Sequence, residues 1–208
     1  MTSNSLMNVS RWLQALLVHE QGLYSHSLRV AEYTASFCTY LGMGFDDTAV
    51  LSVAALVHDV GKLKIAPELL LKTERLNEDE KASIRLHPEL GRSALQNDGL
   101  YDAIVLDVVQ NHHERLDGTG YPSGITAGSI SKPVRIVTIC DVFVAMTEER
   151  PYEEPLYWTT ALALMERKRT RIDQELLKLF AAMITIKESS EVPFHPAAAD
   201  VAHLIRHI

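Results

Sequence analysis

Residues 51–62, LSVAALVHDVGK, join an apolar run to a histidine, an aspartate and a lysine. The small and apolar residues of this run predict a buried helix, with His58 and Asp59 at its end. A carboxylate at such a place needs a cation or strong hydrogen-bond donors beside it, because burial without a partner is costly. The pair therefore favours a metal site at the end of this helix.

Helical periodicity extends along most of the chain, in apolar patterns of about 10 to 20 residues without clear strand alternation. It predicts an all-α fold, with helices at residues 6–19, 23–41, 46–59, 77–96, 101–114, 131–147, 157–168 and 173–186. Asn77 and Glu80 resemble a capping pair that opens the fourth helix. The stretch KESSEVPFHP then predicts a linker, and PAAADVAHLIRHI predicts a short amphipathic tail helix.

The composition is typical of a single globular domain. The 208 residues are 47% hydrophobic and 23% charged, which excludes a disordered or fibrous chain. A net charge of −7 argues against a nucleic-acid polymer as a partner. The apolar run LQALLV is too short to cross a membrane and follows no basic segment, so we expect no membrane association and a cytoplasmic location. Cys38 and Cys140 are expected to be reduced core residues.

Further candidate ligands lie on other predicted helices. A lone histidine on a helix is more often structural or exposed, and His19, His195, His203 and His207 are assigned to that class. Asp141, by contrast, lies inside the apolar helix VRIVTICDVFVAM and needs a partner there. The candidate metal ligands are His26, His58, Asp59, His87, His112, His113 and Asp141.

This set contains more ligands than one tetrahedral zinc ion uses, and it contains no thiolate. Imidazoles and carboxylates suit two octahedral first-row ions that share one carboxylate and a water molecule. Iron or manganese fits this ligand mixture. The charge of two divalent ions exceeds that of the two aspartates, so the pocket would be positive and suited to a phosphate ester.

The ordered motifs resemble the HD-GYP subgroup of the HD phosphohydrolase superfamily, from about Tyr24 to Phe180. They are HSLRV (26–30), HDVGK (58–62), PELLLK (67–72), HPELG (87–91), HHERLDGTGYPSG (112–124), and DVFVAM with RPY (141–152). The resemblance implies an all-α HD-domain helical bundle with additional C-terminal helices and a GYP loop. We place this domain at residues 23–183, after a helical extension at 1–22 and before a linker and tail helix at 184–208.

The resemblance also implies an activity. HD-GYP proteins are cyclic di-GMP phosphodiesterases that yield the linear dinucleotide, and in some members GMP, at a centre of two or three metal ions, usually iron. The family's metal ligands correspond to the seven candidates above, with Asp59 as the bridge. A hydroxide that bridges the two metals would attack the phosphorus. Partner proteins with a GGDEF domain would bind at the GYP loop.

Substrate contacts follow from the same resemblance. Asp59 and Lys62 correspond to catalytic positions, and Lys62 and Arg150 correspond to phosphate contacts. Tyr121 is assigned to the lip of the substrate pocket, where it would shape the pocket or meet a partner.

Three positions depart from the family pattern. Gly22 replaces a glutamate that holds a third ion in trinuclear members, so we expect two metals. Val144 replaces an aspartate, and Glu153 replaces a cation that follows RPY. These departures leave two alternatives open: a catalytically weak cyclic di-GMP sensor or interaction module, and an HD phosphohydrolase of another nucleotide.

Overall fold

Two helices, α2 (Gln21–Tyr40) and α3 (Phe45–Val57), pack along each other at the centre of the bundle. The computed structural model describes residues 3–99, 102–149 and 154–189. An N-terminal helix, α1 (Ser3–His19), lies against both central helices. The predicted all-α class is confirmed, since these ranges contain helices and a single isolated bridge but no strand.

The remaining elements follow α3 along the chain. They are a 3-10 turn (Val60–Lys64), α4 (Pro67–Leu70), α5 (Glu78–Ile84), α6 (His87–Asn97), α7 (Ala103–Asn111), a second 3-10 turn (Ala127–Ser129), α8 (Lys132–Thr147), α9 (Trp158–Glu166) and α10 (Gln174–Ser189). Helix α7 packs on α3 and α6, whereas α8 packs on α2. Among the described helices, none has both the length and the apolar character that crossing a bilayer requires.

Three phenylalanines join the helices behind the candidate ligands. Phe37 of α2 and Phe143 of α8 each lie edge-on to Phe180 of α10, with ring centroids 5.2 Å apart. All three rings are buried. Edge-to-face pairs of this kind stabilise packing beyond their buried area. They fix α8 relative to α2, and so they fix the residues that these helices carry. Cys38 and Cys140 lie in the same core as free thiols.

The first 3-10 turn crosses the start of α6 with the two backbones in contact. A Cβ atom on Gly61 would lie 1.9 Å from the carbonyl oxygen of His87 and 2.6 Å from the nitrogen of Gly91. No side chain fits in that space, so glycine is required at position 61. This contact sets the distance between the chain that carries Asp59 and the helix that carries His87.

Several predicted boundaries were wrong. The helix predicted at 77–96 is two helices, because α5 ends at Ile84 with Arg85 as its C-cap, and Pro88 lies in the first turn of a new helix, α6. The capping box of Asn77 and Glu80 is confirmed, with both hydrogen bonds 2.9 Å long. Short helix α4 was not predicted. Helix α10 continues to Ser189, three residues into the expected linker, and the predicted tail helix lies outside the described residues.

Candidate metal centre

The seven candidate ligands meet in two adjacent groups inside the bundle. The α2–α8 group consists of His26, His58 and Asp141, and the α6–α7 group consists of Asp59, His87, His112 and His113. Within each group the ligand atoms all lie within 4.8 Å of one another. Six of the seven residues are buried, and His113 is partly exposed. The structure thus brings together side chains from five separate segments of the chain.

Asp59 contacts both groups. Its Oδ2 atom lies 3.4 Å from Nε2 of His58, and its Oδ1 atom lies 3.2 Å from Nε2 of His87 and 3.7 Å from Nε2 of His112. Helix α3 ends at Val57, before the predicted residue 59; His58 caps this helix, and Asp59 caps the 3-10 turn that follows. One carboxylate therefore faces each group with one oxygen, as a bridging ligand requires.

Backbone carbonyls orient three of the histidines. Nδ1 of His58 lies 2.7 Å from the oxygen of Ala55, Nδ1 of His87 lies 2.8 Å from that of Ile84, and Nδ1 of His112 lies 3.0 Å from the oxygen at position 109. A carbonyl can only accept, so each Nδ1 carries a proton, and in the neutral ring Nε2 then has a free lone pair. That lone pair is the one a metal binds.

His26 is oriented differently. Its Nε2 atom lies 3.0 Å from Oδ1 of Asp141, and its Nδ1 atom lies 2.8 Å from Oε1 of Glu148. Sequence analysis did not identify Glu148. Its spacing of seven residues from Asp141 was the available signal, because residues two helical turns apart share one face.

Two buried atoms of the centre lack hydrogen-bond partners: Nε2 of His58 and Oδ1 of Asp59. In addition, Nε2 of His87 lies 3.2 Å from Nε2 of His112, so two lone-pair nitrogens face each other. Buried polar atoms without partners are costly, and a cation between them would satisfy them. The nitrogen and oxygen donors suit first-row divalent metals. These residues can therefore hold metal ions.

Burial keeps most of the imidazoles neutral. It lowers the pKa of His58 to about 4, and it also lowers the pKa values of His87 and His113. Burial acts in the same direction on His26, but the hydrogen bonds to two carboxylates outweigh it and raise the pKa to about 9. The two groups thus differ in how strongly protons compete with a metal.

Both aspartates stay ionised. Burial would raise the pKa of Asp59, but the Lys62 ammonium and the neighbouring imidazoles hold it well below its usual range. For Asp141, the hydrogen bond from His26 and the charges of nearby histidines likewise outweigh burial and lower the pKa. Nζ of Lys62 lies 2.6 Å from Oδ2 of Asp59, and its side chain is 20% exposed. Lys62 is thus the cation at the partly open side of the centre.

The GYP loop closes one side of the α6–α7 group. The ring of Tyr121 stacks on His113 with centroids 4.6 Å apart, and the Arg85 guanidinium lies 5.5 Å from the centre of the same tyrosine ring. Buried Glu114 holds the loop, since the N–H groups of Ser123 and Gly124 donate to its Oε1 atom at 2.7 and 3.0 Å. Tyr121 therefore lies beside a candidate ligand.

Gly22 and Val144, two of the other positions that the sequence analysis singled out, lie among the described residues. Gly22 lies in the first turn of α2, where its N–H and that of Leu23 donate to the capping carboxylate of Glu20. Val144 is fully buried. Arg150 and Glu153 lie outside the described residues.

Comparison with known protein families matches residues 12–176 to the HD domain family. The chain belongs to this family. Its motifs and its relatives assign it to the HD-GYP subgroup. The HD domain of the L. monocytogenes phosphodiesterase PgpH has the same fold, with a TM-score of 0.65 and 17% identity over 85% of this chain and 97% of that one.

Two curated relatives of this HD-GYP protein are named phosphodiesterases. A 3'3'-cGAMP-specific phosphodiesterase of Vibrio cholerae is 36% identical over 75% of this chain and 36% of its own length. A cyclic di-GMP phosphodiesterase of Pseudomonas aeruginosa is 30% identical over 88% of this chain and 43% of its own length. The chain thus spans less than half the length of each of these relatives.

Proposed function

We propose that this HD-GYP protein is a phosphodiesterase that hydrolyses cyclic di-GMP to the linear dinucleotide at a centre of two divalent metal ions. The observation that carries the proposal is the contact of one carboxylate, Asp59, with both ligand groups. A shared carboxylate between two clusters of imidazoles matches the ligand arrangement of a two-metal hydrolase. The named activities of the curated relatives support the same reaction class.

In this proposal each group holds one ion, and Asp59 contributes to both. The donor set suits iron first and manganese as the alternative. Bound ions would supply Lewis-acid activation of water and would neutralise charge on the scissile phosphate. The residues themselves would position the ions, because their ligand atoms converge within each group.

Lys62 would bind a non-bridging phosphate oxygen. Its ammonium is partly exposed beside Asp59, so a phosphate at the metals would lie within reach of it. A fixed cation at this place stabilises the charge that develops during attack. Arg150 would supply a second phosphate contact, and Tyr121 would shape the lip of the pocket. A cytoplasmic location and GGDEF-domain partners at the GYP loop complete the proposal.

A second substrate, 3'3'-cGAMP, is favoured by one observation. The Vibrio cholerae relative named for that substrate is 36% identical to this chain, compared with 30% for the Pseudomonas aeruginosa relative named for cyclic di-GMP. Both molecules are cyclic dinucleotides with the same phosphodiester linkage, so the centre described above would act on either. The bases, and not the phosphates, would decide between them.

The test uses anaerobically purified protein loaded with iron or manganese. It is incubated separately with cyclic di-GMP, 3'3'-cGAMP and cyclic di-AMP, and the products are resolved by chromatography. A variant with His58→Ala and Asp59→Ala serves as the control. Linear dinucleotide from cyclic di-GMP supports the proposal, whereas faster release from 3'3'-cGAMP favours the second substrate. Cyclic di-GMP binding without any product would favour the sensor, and neither binding nor product would sink both cyclic di-GMP functions.

A further inference from the structure

Glu148 lies at the C-terminal end of α8, on the side of the His26 ring that faces away from the other ligands. Its Oε1 atom is 2.8 Å from Nδ1 of His26, and the two side chains are only 11% and 8% exposed. We infer that Glu148 is a positioning residue for the metal ligand His26. It would strengthen the binding of the ion in the α2–α8 group. This inference rests on the proposed metal centre, but it does not depend on which nucleotide is hydrolysed.

One helix holds both ends of the His26 ring. Asp141 lies on α8, and Glu148, seven residues later, caps the C-terminus of this helix; about two helical turns separate them, and both reach the same ring. Asp141 meets Nε2 at 3.0 Å, and Glu148 meets Nδ1. The ring therefore cannot rotate without losing a contact at one end or the other. Helix α2 supplies the imidazole, and α8 sets its direction.

The backbone around Glu148 is itself held in place. Its N–H donates to the carbonyl oxygen of Val144 at 2.9 Å, which closes the last turn of α8. The N–H of Leu156 donates to the oxygen of Met146 at 2.9 Å, so the chain that follows returns to the same helix end. Phe143 anchors this turn in the core. A carboxylate on such a base has a defined position, which a surface glutamate does not have.

The acceptor at His26 differs chemically from those at three other ligands. His58, His87 and His112 donate from Nδ1 to neutral carbonyl oxygens, whereas His26 meets an anionic oxygen. An imidazole that donates to a carboxylate is a more basic ligand at its other nitrogen, and its tautomer is fixed. Loss of such an outer carboxylate typically costs about 10- to 100-fold in metal affinity. The α2–α8 ion should therefore bear the whole effect of a change at Glu148.

The experiment is a Mn²⁺ titration of the metal-free 208-residue chain, followed by calorimetry and by electron paramagnetic resonance. The variants are Glu148→Ala, which removes the acceptor, and Glu148→Gln, which keeps an acceptor oxygen without the charge. The adjacent exposed residue provides the matched control, Glu149→Ala. Thermal unfolding of each metal-free variant reports on the fold separately.

The wild-type chain should bind two ions, and at two equivalents its spectrum should be that of a coupled pair. In Glu148→Ala, one ion should bind as in the wild type and the other about 10- to 100-fold more weakly, so that the coupled signal is replaced by that of isolated Mn²⁺. Glu148→Gln should fall between the two, and Glu149→Ala should match the wild type.

Three results would overturn the inference. The first is wild-type affinity at both sites in Glu148→Ala and Glu148→Gln. The second is an equal loss at both sites with a lower melting temperature, which would mean that Glu148 acts only on the fold. If Glu148→Ala does not fold, Glu148→Gln provides the test, and wild-type Mn²⁺ affinity at both of its sites would refute the positioning role. The third is a wild-type chain that binds no pair of metal ions, which would also refute the proposed metal centre.

The inference and the proposed activity can fail separately. Selective weakening of one site in a protein that hydrolyses no cyclic dinucleotide would support the inference and refute only the proposed activity.

Discussion

The α2–α8 group and the α6–α7 group contain similar side chains, but His26 of the α2–α8 group is oriented by different means from the other histidines with a known Nδ1 partner. In the α6–α7 group, backbone carbonyls one turn earlier fix the rings of His87 and His112. In the α2–α8 group, the ring of His26 depends on two carboxylates from another helix. A backbone carbonyl is present whatever the residue type, whereas a carboxylate is lost by one substitution. The orientation of His87 and His112 is therefore robust to substitutions around them, whereas the orientation of His26 can be changed by a single substitution.

Loss of the shared carboxylate should weaken metal binding in both groups alike, since both groups contact Asp59. In Asp59→Asn, we expect both ions to bind weakly and kcat on the cyclic dinucleotide to fall by at least about 10³-fold, or about 4 kcal/mol. Metal analysis and product chromatography measure the two effects. The matched control, Asp79→Asn, changes an exposed aspartate in the first turn of α5 and should behave as the wild type. Full metal content in Asp59→Asn would refute the bridging role.

Removing the cation of the centre should reduce turnover without emptying either group. In Lys62→Met, we expect a fall of about 10²-fold in kcat, because a fixed charge near the phosphate is lost, while both ions are retained. Lys64→Met is the control, since Lys64 is exposed on the same 3-10 turn. Steady-state kinetics with parallel metal analysis provide the readout. Equal kcat values in the two variants would rule out a phosphate contact for Lys62.

The GYP loop offers a way to disturb only the α6–α7 group. A Cβ atom on Gly120 would lie 2.4 Å from the nitrogen of Arg115, so Gly120→Ala should destabilise the fold by about 1 to 3 kcal/mol as the loop shifts. Because Tyr121 stacks on His113, the shift should weaken the α6–α7 ion and spare the other.

Denaturant unfolding and Mn²⁺ titration test both parts. Gly128→Ala is the control, since its added Cβ would meet no atom within 4 Å. A Gly120→Ala protein with the stability of Gly128→Ala would contradict the close contact.

Protons compete with metal ions for the histidine nitrogens, and this competition should make the metal affinities of the two groups depend differently on pH. The pKa of His26 is raised to about 9, so below that pH a metal must displace its proton, whereas His58 with a pKa of about 4 is already neutral. We expect the apparent affinity of the α2–α8 ion to rise about tenfold per pH unit between pH 7 and 9, as one displaced proton requires. The affinity of the α6–α7 ion should change little, because burial lowers the pKa of His87.

The raised pKa of His26 makes the stability of the metal-free fold fall with rising pH, whereas the metal affinity rises. A pKa raised from 6.5 to about 9 stabilises the fold fully below pH 6.5, and this contribution is lost as pH rises through about 9. Calorimetric titrations and metal-free melting curves across this range provide the measurements. Parallel affinity curves for both ions would remove the distinction between the groups.

The sequence indicated the candidate ligands, which the structure brings together, better than it indicated the residues that orient them. His58, Asp59 and Asp141 could be identified because each is a polar residue in an apolar run, and burial makes such residues need partners. The all-α class followed from periodicity in the same way. Asn77 and Glu80 were predictable as a cap because capping depends on residues three positions apart.

The contacts that orient the candidate ligands depend on packing between distant segments of the chain. Glu148 meets His26 across 122 positions of sequence, so only the placement of α8 on α2 reveals the contact. The contact between Arg85 and Tyr121 likewise depends on how the loop folds back on α5. Pro88 did signal the break between α5 and α6, but the capping pair and the apolar pattern suggested one continuous helix.

The crossing of Gly61 and Gly91 has a consequence for recombination between homologous proteins. The turn that carries Asp59 and the helix that carries His87 touch through their backbones, with no side chain between them to adapt. A chimaera that takes HDVGK from one parent and HPELG from another must reproduce this spacing, or the shared carboxylate will no longer reach both clusters. The two motifs should therefore be exchanged as one inherited block, although 24 residues of sequence lie between them.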